Sequence, residues 1–157
     1  LVLHVYRMLA RHLIVLAHNL VIVVVAWLVF PWRPTVSTLL ALPGMGILLV
    51  ALFGMMLTLG VLCTRYRDLQ QVVATLVQLA FLLTPIFWTP DTLHGKAAAI
   101  FLDLNPLYHL IEVVRGPILG LAPPMATWII ASGVALGSLA LGLAFYARYG
   151  KRVVYWL

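Results

Sequence analysis

Between Arg33 and Arg65 the chain carries no Asp, Glu, Lys, Arg or His. Asp, Glu, Lys and Arg are equally missing between Arg11 and Arg33, between Asp68 and Asp91, and between Arg115 and Arg148. A helix on a water-soluble domain needs a polar stripe along its outer face, and runs of this length supply none. About 20 apolar residues in a helix match the ~30 Å hydrocarbon core of a bilayer. The chain therefore reads as an all-α integral membrane protein, one transmembrane domain over 1–157. Its charged fraction of 9% agrees, since soluble domains carry about 25%.

The same scarcity excludes several chemistries. A single Cys63 allows no intrachain disulfide, and the five His form no spacing suited to a metal site. No Ser sits in a nucleophile elbow and no two acids are spaced as an acid/base pair, so no catalytic residue is assigned. No Gly-rich loop ending in Gly-Lys-Ser/Thr occurs, so the chain binds no ATP through a P-loop and no cofactor is expected on it. An energised transporter built from it needs its motor on another polypeptide. The formal charge of +6 comes from bases beside apolar runs, which points to membrane topology and away from nucleic acid. The chain starts at Leu1 with no signal peptide before the first run, and is expected to be a fragment or a sequence whose start was not recorded.

Four spans are expected. Residues 1–12 hold Arg7 and Arg11 on one helical face and read as an interfacial segment, or as the end of the first span. That span, 13–30, contains His18 and Asn19, which should face protein or a water-filled path. Trp27, Phe30 and Trp32 gather at its end, as aromatic residues do at an interface. The second span, 36–62, has Pro43, Gly44 and Gly46 for a kink or broken start, and Gly54 and Gly60 for close helix contacts. Asp68, with Gln71 three residues on, fits an N-cap and capping box for a third span, 71–87. Thr75, Gln78 and Thr84 are its polar residues, and Pro85 and Pro90 break it. The last span, 125–147, carries Gly133-Val-Ala-Leu-Gly137, with Gly142 continuing a small-residue seam.

The segment 88–117 between the third and last spans is the most structured part of the sequence. Only a short helix fits between Asp91 and Leu104. Asn105 is a good N-cap with Pro106 at the first helical position, and the helix that follows should end at Gly116-Pro117. Glu112 and Arg115 are spaced to pair on one face. Seven bases (Arg7, Arg11, Arg65, Arg67, Arg148, Lys151, Arg152) fall on one side of these spans and three (Arg33, Lys96, Arg115) on the other. The positive-inside rule then places both ends of the chain and the Arg65 turn in the cytoplasm.

Arg65-Tyr66-Arg67-Asp68, then Thr84-Pro85-Ile86-Phe87, then Leu104-Asn105-Pro106-Leu107 and Glu112-x-x-Arg115 together resemble the carboxy-terminal part of type-2 ABC exporter permeases. The resemblance covers essentially the whole chain and is nearest to the group exporting O-antigen, capsular polysaccharide and teichoic acid. It implies a bacterial inner-membrane permease working as a pair of copies with a separate nucleotide-binding ATPase that holds ATP and Mg. Arg7, Arg11, Arg65, Tyr66, Arg67 and Asp68 are implied to dock that ATPase. Residues 88–117 become a re-entrant pair of short helices on the outer side, a gate using Pro85, Trp88, Asn105, Pro106, Glu112 and Arg115. Phe81, Phe87, Trp88 and Tyr108 are candidates to line the path of a glycan or lipid-linked glycan, because aromatic rings stack on sugar faces.

Bland readings stand beside these. Arg65 and Arg67 also serve topology alone, and each aromatic ring also fits an interfacial belt or helix packing. The rival functions are a type-2 exporter of drugs or lipids, an integral-membrane glycan-modifying enzyme, and a secondary transporter. The enzyme would need an acidic site near a membrane face, and only Asp68 lies on the cytoplasmic side; a secondary transporter usually places charged or ion-coordinating residues at mid-membrane, where the spans offer only His18 and Asn19.

Overall fold

The computed structural model describes residues 2–29, 35–86 and 102–150, and the described residues are helical with short connections. Helix α1 spans Val2–Val29. Residues 1–30 contain no Gly or Pro, so the interfacial segment and first span form one unbroken helix of 28 residues. His18 and Asn19 lie on its exposed surface. Of the two expected settings, protein or a water-filled path, no other helix among the described residues supplies the first.

A 3₁₀ turn, Val36–Leu40, leads into α2, Ala41–Arg65. Pro43 falls in the first turn of α2, where backbone N–H groups have no intrahelical acceptor. Proline there starts the helix and does not kink it. Three residues then turn the chain into α3, Leu69–Leu83. Asp68 occupies the N-cap position, but its backbone is αR and its side chain makes no capping bond, which corrects the expected capping box. An N-cap side chain reaches the N2 and N3 amides from an extended backbone, which Asp68 does not adopt. The α3 helix stops at Thr84 (φ −89°, ψ 135°), since a residue before proline is pushed out of the helical region.

The short helix α4 covers Pro106–Ile118. Pro117 lies within its last turn, so the helix passes the expected stop at Gly116-Pro117. Termination comes at Gly120, whose φ of +76° suits the left-handed position after a helix. The Leu121 N–H bonds the Gly116 carbonyl at 2.9 Å and the Gly120 N–H the Pro117 carbonyl at 3.0 Å, the paired bonds of a Schellman ending. Helix α5, Met125–Tyr149, follows Pro124.

Helices α2 and α5 lie side by side and parallel. The Ser138 hydroxyl donates to the Ala51 carbonyl at 3.2 Å, and Gly54 sits backbone to backbone on Ser138 and Gly142. Farther along, the Arg65 guanidinium meets the Tyr149 ring. The seam on α5 is Ala131, Ala135, Ser138 and Gly142, spaced by four, three and four so that they share a face. Gly133 and Gly137 have open space where a side chain would go, so the expected Gly-x-x-x-Gly seam is not this contact, although Gly142 is.

Between the parallel α2 and α5 the chain has to return to the end where α2 began, and it has done so by Gly120. The Ser37 hydroxyl donates to the Gly120 carbonyl at 3.1 Å. Ala51, Leu110, Val113, Ala131 and Ala135 form the buried core where α2, α4 and α5 meet. By contrast α3 buries none of its residues, and apolar side chains such as Ile14 and Leu28 on α1 are 70% and 81% exposed. Apolar surface of this extent on a soluble monomer would aggregate. It suits hydrocarbon. Among the described residues three helical stretches are long and apolar enough to cross a membrane, Val5–Val29, Val36–Arg65 and Met125–Tyr149, and Leu69–Leu83 is shorter.

Candidate functional site

The break after α3 leaves backbone groups that no helix can satisfy. Thr84 and Pro85 are both buried, and an unpaired carbonyl in such a place costs several kcal/mol in an apolar medium, on the order of a lost hydrogen bond. The polar residues of α4 meet this need. The Arg115 guanidinium donates through Nη1 to the Pro85 carbonyl at 2.8 Å. Asn105 uses both ends of its amide. Its Oδ1 accepts from the backbone N–H groups of Leu107 (3.0 Å) and Tyr108 (3.4 Å), capping α4 as expected, while its Nδ2 donates to Thr84 Oγ1 at 3.2 Å. The N-terminal cap of α4 and a residue near its far end are thus both tied to one dipeptide, Thr84-Pro85.

The other side of α4 is seated on α2. Pro117 has no N–H to reach back to the Val113 carbonyl. Gly44 packs directly against that carbonyl, and a Cβ at Gly44 would collide with it. The Gly120 turn then rests on Thr35 and Ser37. The helix α4 is therefore fastened to α3 at the break and to the start of α2.

His109 lies within α4 and is buried. Its Nε2 contacts the Asp103 carbonyl at 2.9 Å, and since a carbonyl only accepts, Nε2 carries the hydrogen. The opposite ring atom, Nδ1, is buried with no hydrogen-bond partner among the described residues. The Tyr108 ring stands edge-on to this imidazole at 5.3 Å between centroids.

The structure gathers Pro85, Asn105, Pro106 and Arg115 of the expected gate into this one cluster. Glu112 shares the helix, and its carboxylate lies along the helix beside Gly116. No ion pair joins Glu112 to Arg115 among the described residues, because Arg115 turns to the Pro85 carbonyl, a correction to the expected pairing. Of the aromatic candidates, Tyr108 is half-buried in the cluster and Phe81 is exposed on α3. Phe87, Trp88 and the expected first short helix of segment 88–117 lie outside the described residues. Thr84 is the member that sequence reasoning placed only as a polar residue of the third span. The signal was its position before Pro85, where a polar side chain stands next to broken backbone.

The opposite end of the molecule holds the other group. Arg65 closes α2, Tyr66 is extended, and Arg67 and Asp68 complete the turn into α3. All four are exposed. Arg7 and Arg11 are also exposed, on α1. Charge divides accordingly among the described residues: Arg65, Arg67, Asp68 and Arg148 at this end, Asp103, Glu112 and Arg115 at the α4 end.

These features define a multi-pass helical membrane protein whose short helix α4 is held at one end of the bundle. The sequence pattern of the ABC-2 type transporter family matches residues 2–119. The chain belongs to that family and is a membrane permease component of an ABC transporter. Neither the curated proteins nor the solved structures contain a match to it.

Proposed function

We propose that the chain is the permease subunit of an ABC exporter that carries a polysaccharide or lipid-linked glycan out across the bacterial inner membrane. In this reading α3 is a fourth crossing and two copies of the permease form the path. A separate ATPase binding ATP and Mg pushes on Arg7, Arg11 and the turn Arg65–Asp68 from the cytoplasm, where both ends of the chain lie. The observation that carries it is the exposed Arg65-Tyr66-Arg67-Asp68 turn joining α2 to α3, two helices that both lead to the α4 cluster. Force applied at that turn has a covalent route to Thr84-Pro85 and a packed route through Gly44. The α4 cluster, with Trp88 ahead of it in sequence, is the outer gate, and Phe81, Phe87, Trp88 and Tyr108 offer rings to sugar faces.

Irregular backbone near membrane depth is tolerated where protein or a water path covers it, and the Arg115 and Asn105 bonds fit that requirement for a re-entrant segment. The test is co-expression with a nucleotide-binding subunit of the same transporter, capture through a tag on that subunit, and comparison with Arg65→Glu/Arg67→Glu. Wild type is expected in the eluate, and the reversed variant is expected in the membrane but not in the eluate. Failure of wild type to co-purify overturns the docking reading. Accumulation of lipid-linked glycan inside cells lacking the permease then separates glycan export from drug or lipid export.

A further inference from the structure

Helix α3 is apolar except for four residues, Gln70, Gln71, Thr75 and Gln78. Gln70 and Gln71 stand in its first turn, and Thr75 spends its hydroxyl hydrogen on the Gln71 carbonyl at 3.0 Å. Gln78 comes nine residues after Leu69, about 14 Å along the axis. In a crossing helix that is near the middle of a hydrocarbon core ~30 Å thick, where lipid supplies neither donor nor acceptor. At about 100° per residue, Gln71, Thr75 and Gln78 share one face, and all three are exposed. The partly covered residues of α3 are Leu69, Val73 and Ala80, whose face lies about 180° round the helix. The polar stripe therefore looks directly away from the rest of its own chain.

The stripe advances by four residues and then by three, the spacing of a seam between two parallel helices. Two copies of one membrane protein share a topology, so a two-fold axis relating them runs along the membrane normal and sets their α3 helices parallel. A residue on such an axis meets its own counterpart. A primary amide carries donors on nitrogen and lone pairs on oxygen, so two glutamines face to face each donate to the other. Neither brings a charge to the axis. The exposed stripe of α1 does not suit a symmetric pair, because it carries Arg7 and Arg11, and like charges set against each other repel. We infer that α3 is a contact between two copies of the permease, with Gln78 bonded to the partner's Gln78 across the axis and Thr75 packed beside it in the same seam. The inference rests on the reading above of α3 as a crossing and of the permease as a pair of copies.

Disulfide cross-linking of the full-length permease in native membranes tests this, in a background with Cys63 and any further cysteine replaced by serine. Thr75→Cys and Gln78→Cys, on the stripe, are expected to give a covalent dimer on mild oxidation. Val73→Cys and Val77→Cys, off the stripe, are expected to give none. Association of the chain without added cysteines is then measured in detergent. Gln78→Leu is expected to raise the dimer dissociation constant about three- to tenfold, the scale of one or two polar contacts between membrane helices, and Gln78→Asn, which keeps the amide, by less. An equal constant for wild type and Gln78→Leu overturns the Gln78 pairing. A dimer by native mass spectrometry that fails to cross-link at Thr75→Cys and Gln78→Cys overturns the inference alone, whereas a wild type that is only monomeric overturns the two-copy reading with it. Labelling of both cysteines by a membrane-impermeant maleimide without cross-linking also overturns the inference, and assigns the stripe to a water-filled path.

Discussion

The Arg115 guanidinium donates to the carbonyl oxygen of Pro85, 30 residues earlier in the chain, at 2.8 Å. That carbonyl belongs to buried, non-helical backbone, so the bond replaces one that a continuous α3 would have made for itself. Arg115→Gln should lower stability by about 2 kcal/mol, the range for a charged donor on a buried acceptor, and Arg115→Lys by less. The check is thermal unfolding of the purified permease in detergent, and an unchanged midpoint for Arg115→Gln removes this bond from the account.

Asn105 joins two helices through one side chain. Asn105→Ala loses the cap, worth about 1 kcal/mol, together with the bond to Thr84. Polar contacts between membrane helices average roughly 0.6 kcal/mol. In a double-mutant cycle of Asn105→Ala with Thr84→Val, a coupling of that order is expected. A coupling of zero means that Asn105 acts on α4 alone.

Glycine substitutions should divide by location. At Gly44 and Gly54 a Cβ meets backbone atoms of Val113 and Ser138 that cannot swing aside, so Gly44→Ala and Gly54→Ala should lower the midpoint clearly. At Gly133 and Gly137 there is open space, and alanine there should be neutral or raise stability by up to about 1 kcal/mol through helix propensity. Equal effects at the four sites would contradict the helix pairing described here.

Gly120 has a backbone that L-residues avoid, with φ at +76°. Gly120→Ala should cost about 1 kcal/mol, and Gly120→Asn less, because Asn tolerates the left-handed region. Limited proteolysis of the α4–α5 connection gives a direct reading, with faster cleavage expected in the alanine variant.

Local chemistry was readable in the sequence wherever neighbours along the chain decide the outcome. The uncharged runs announced helices, Asn105-Pro106 announced a cap, and Pro85 announced a break. Spacing failed where a face had to be chosen. Gly133 and Gly137 form a motif, yet the face that meets α2 is set by Ala131, Ala135 and Ser138, and no pattern within α5 alone distinguishes the two. Glu112 and Arg115 had the right separation for a pair, but the Pro85 carbonyl lacked a donor, and that need arises only once the broken backbone after α3 is brought against α4. Asp68 had cap chemistry without the extended backbone a cap requires. Pro117 signalled a stop, and the helix does end one residue beyond it, where the Gly120 turn bonds the Gly116 and Pro117 carbonyls.

The place of Gly54 along α2 carries a mechanical consequence. It lies almost midway between Gly44, which bears on α4, and Arg65, which faces the opposite end, about 15 Å from each. With no side chain between them, Gly54 and Gly142 let the two backbones touch, while the Ser138 bond to Ala51 and the Arg65 contact with Tyr149 fasten the same two helices on either side of that point. Any larger residue at Gly54 would act as a wedge, spreading α2 from α5 and loosening both fastenings at once.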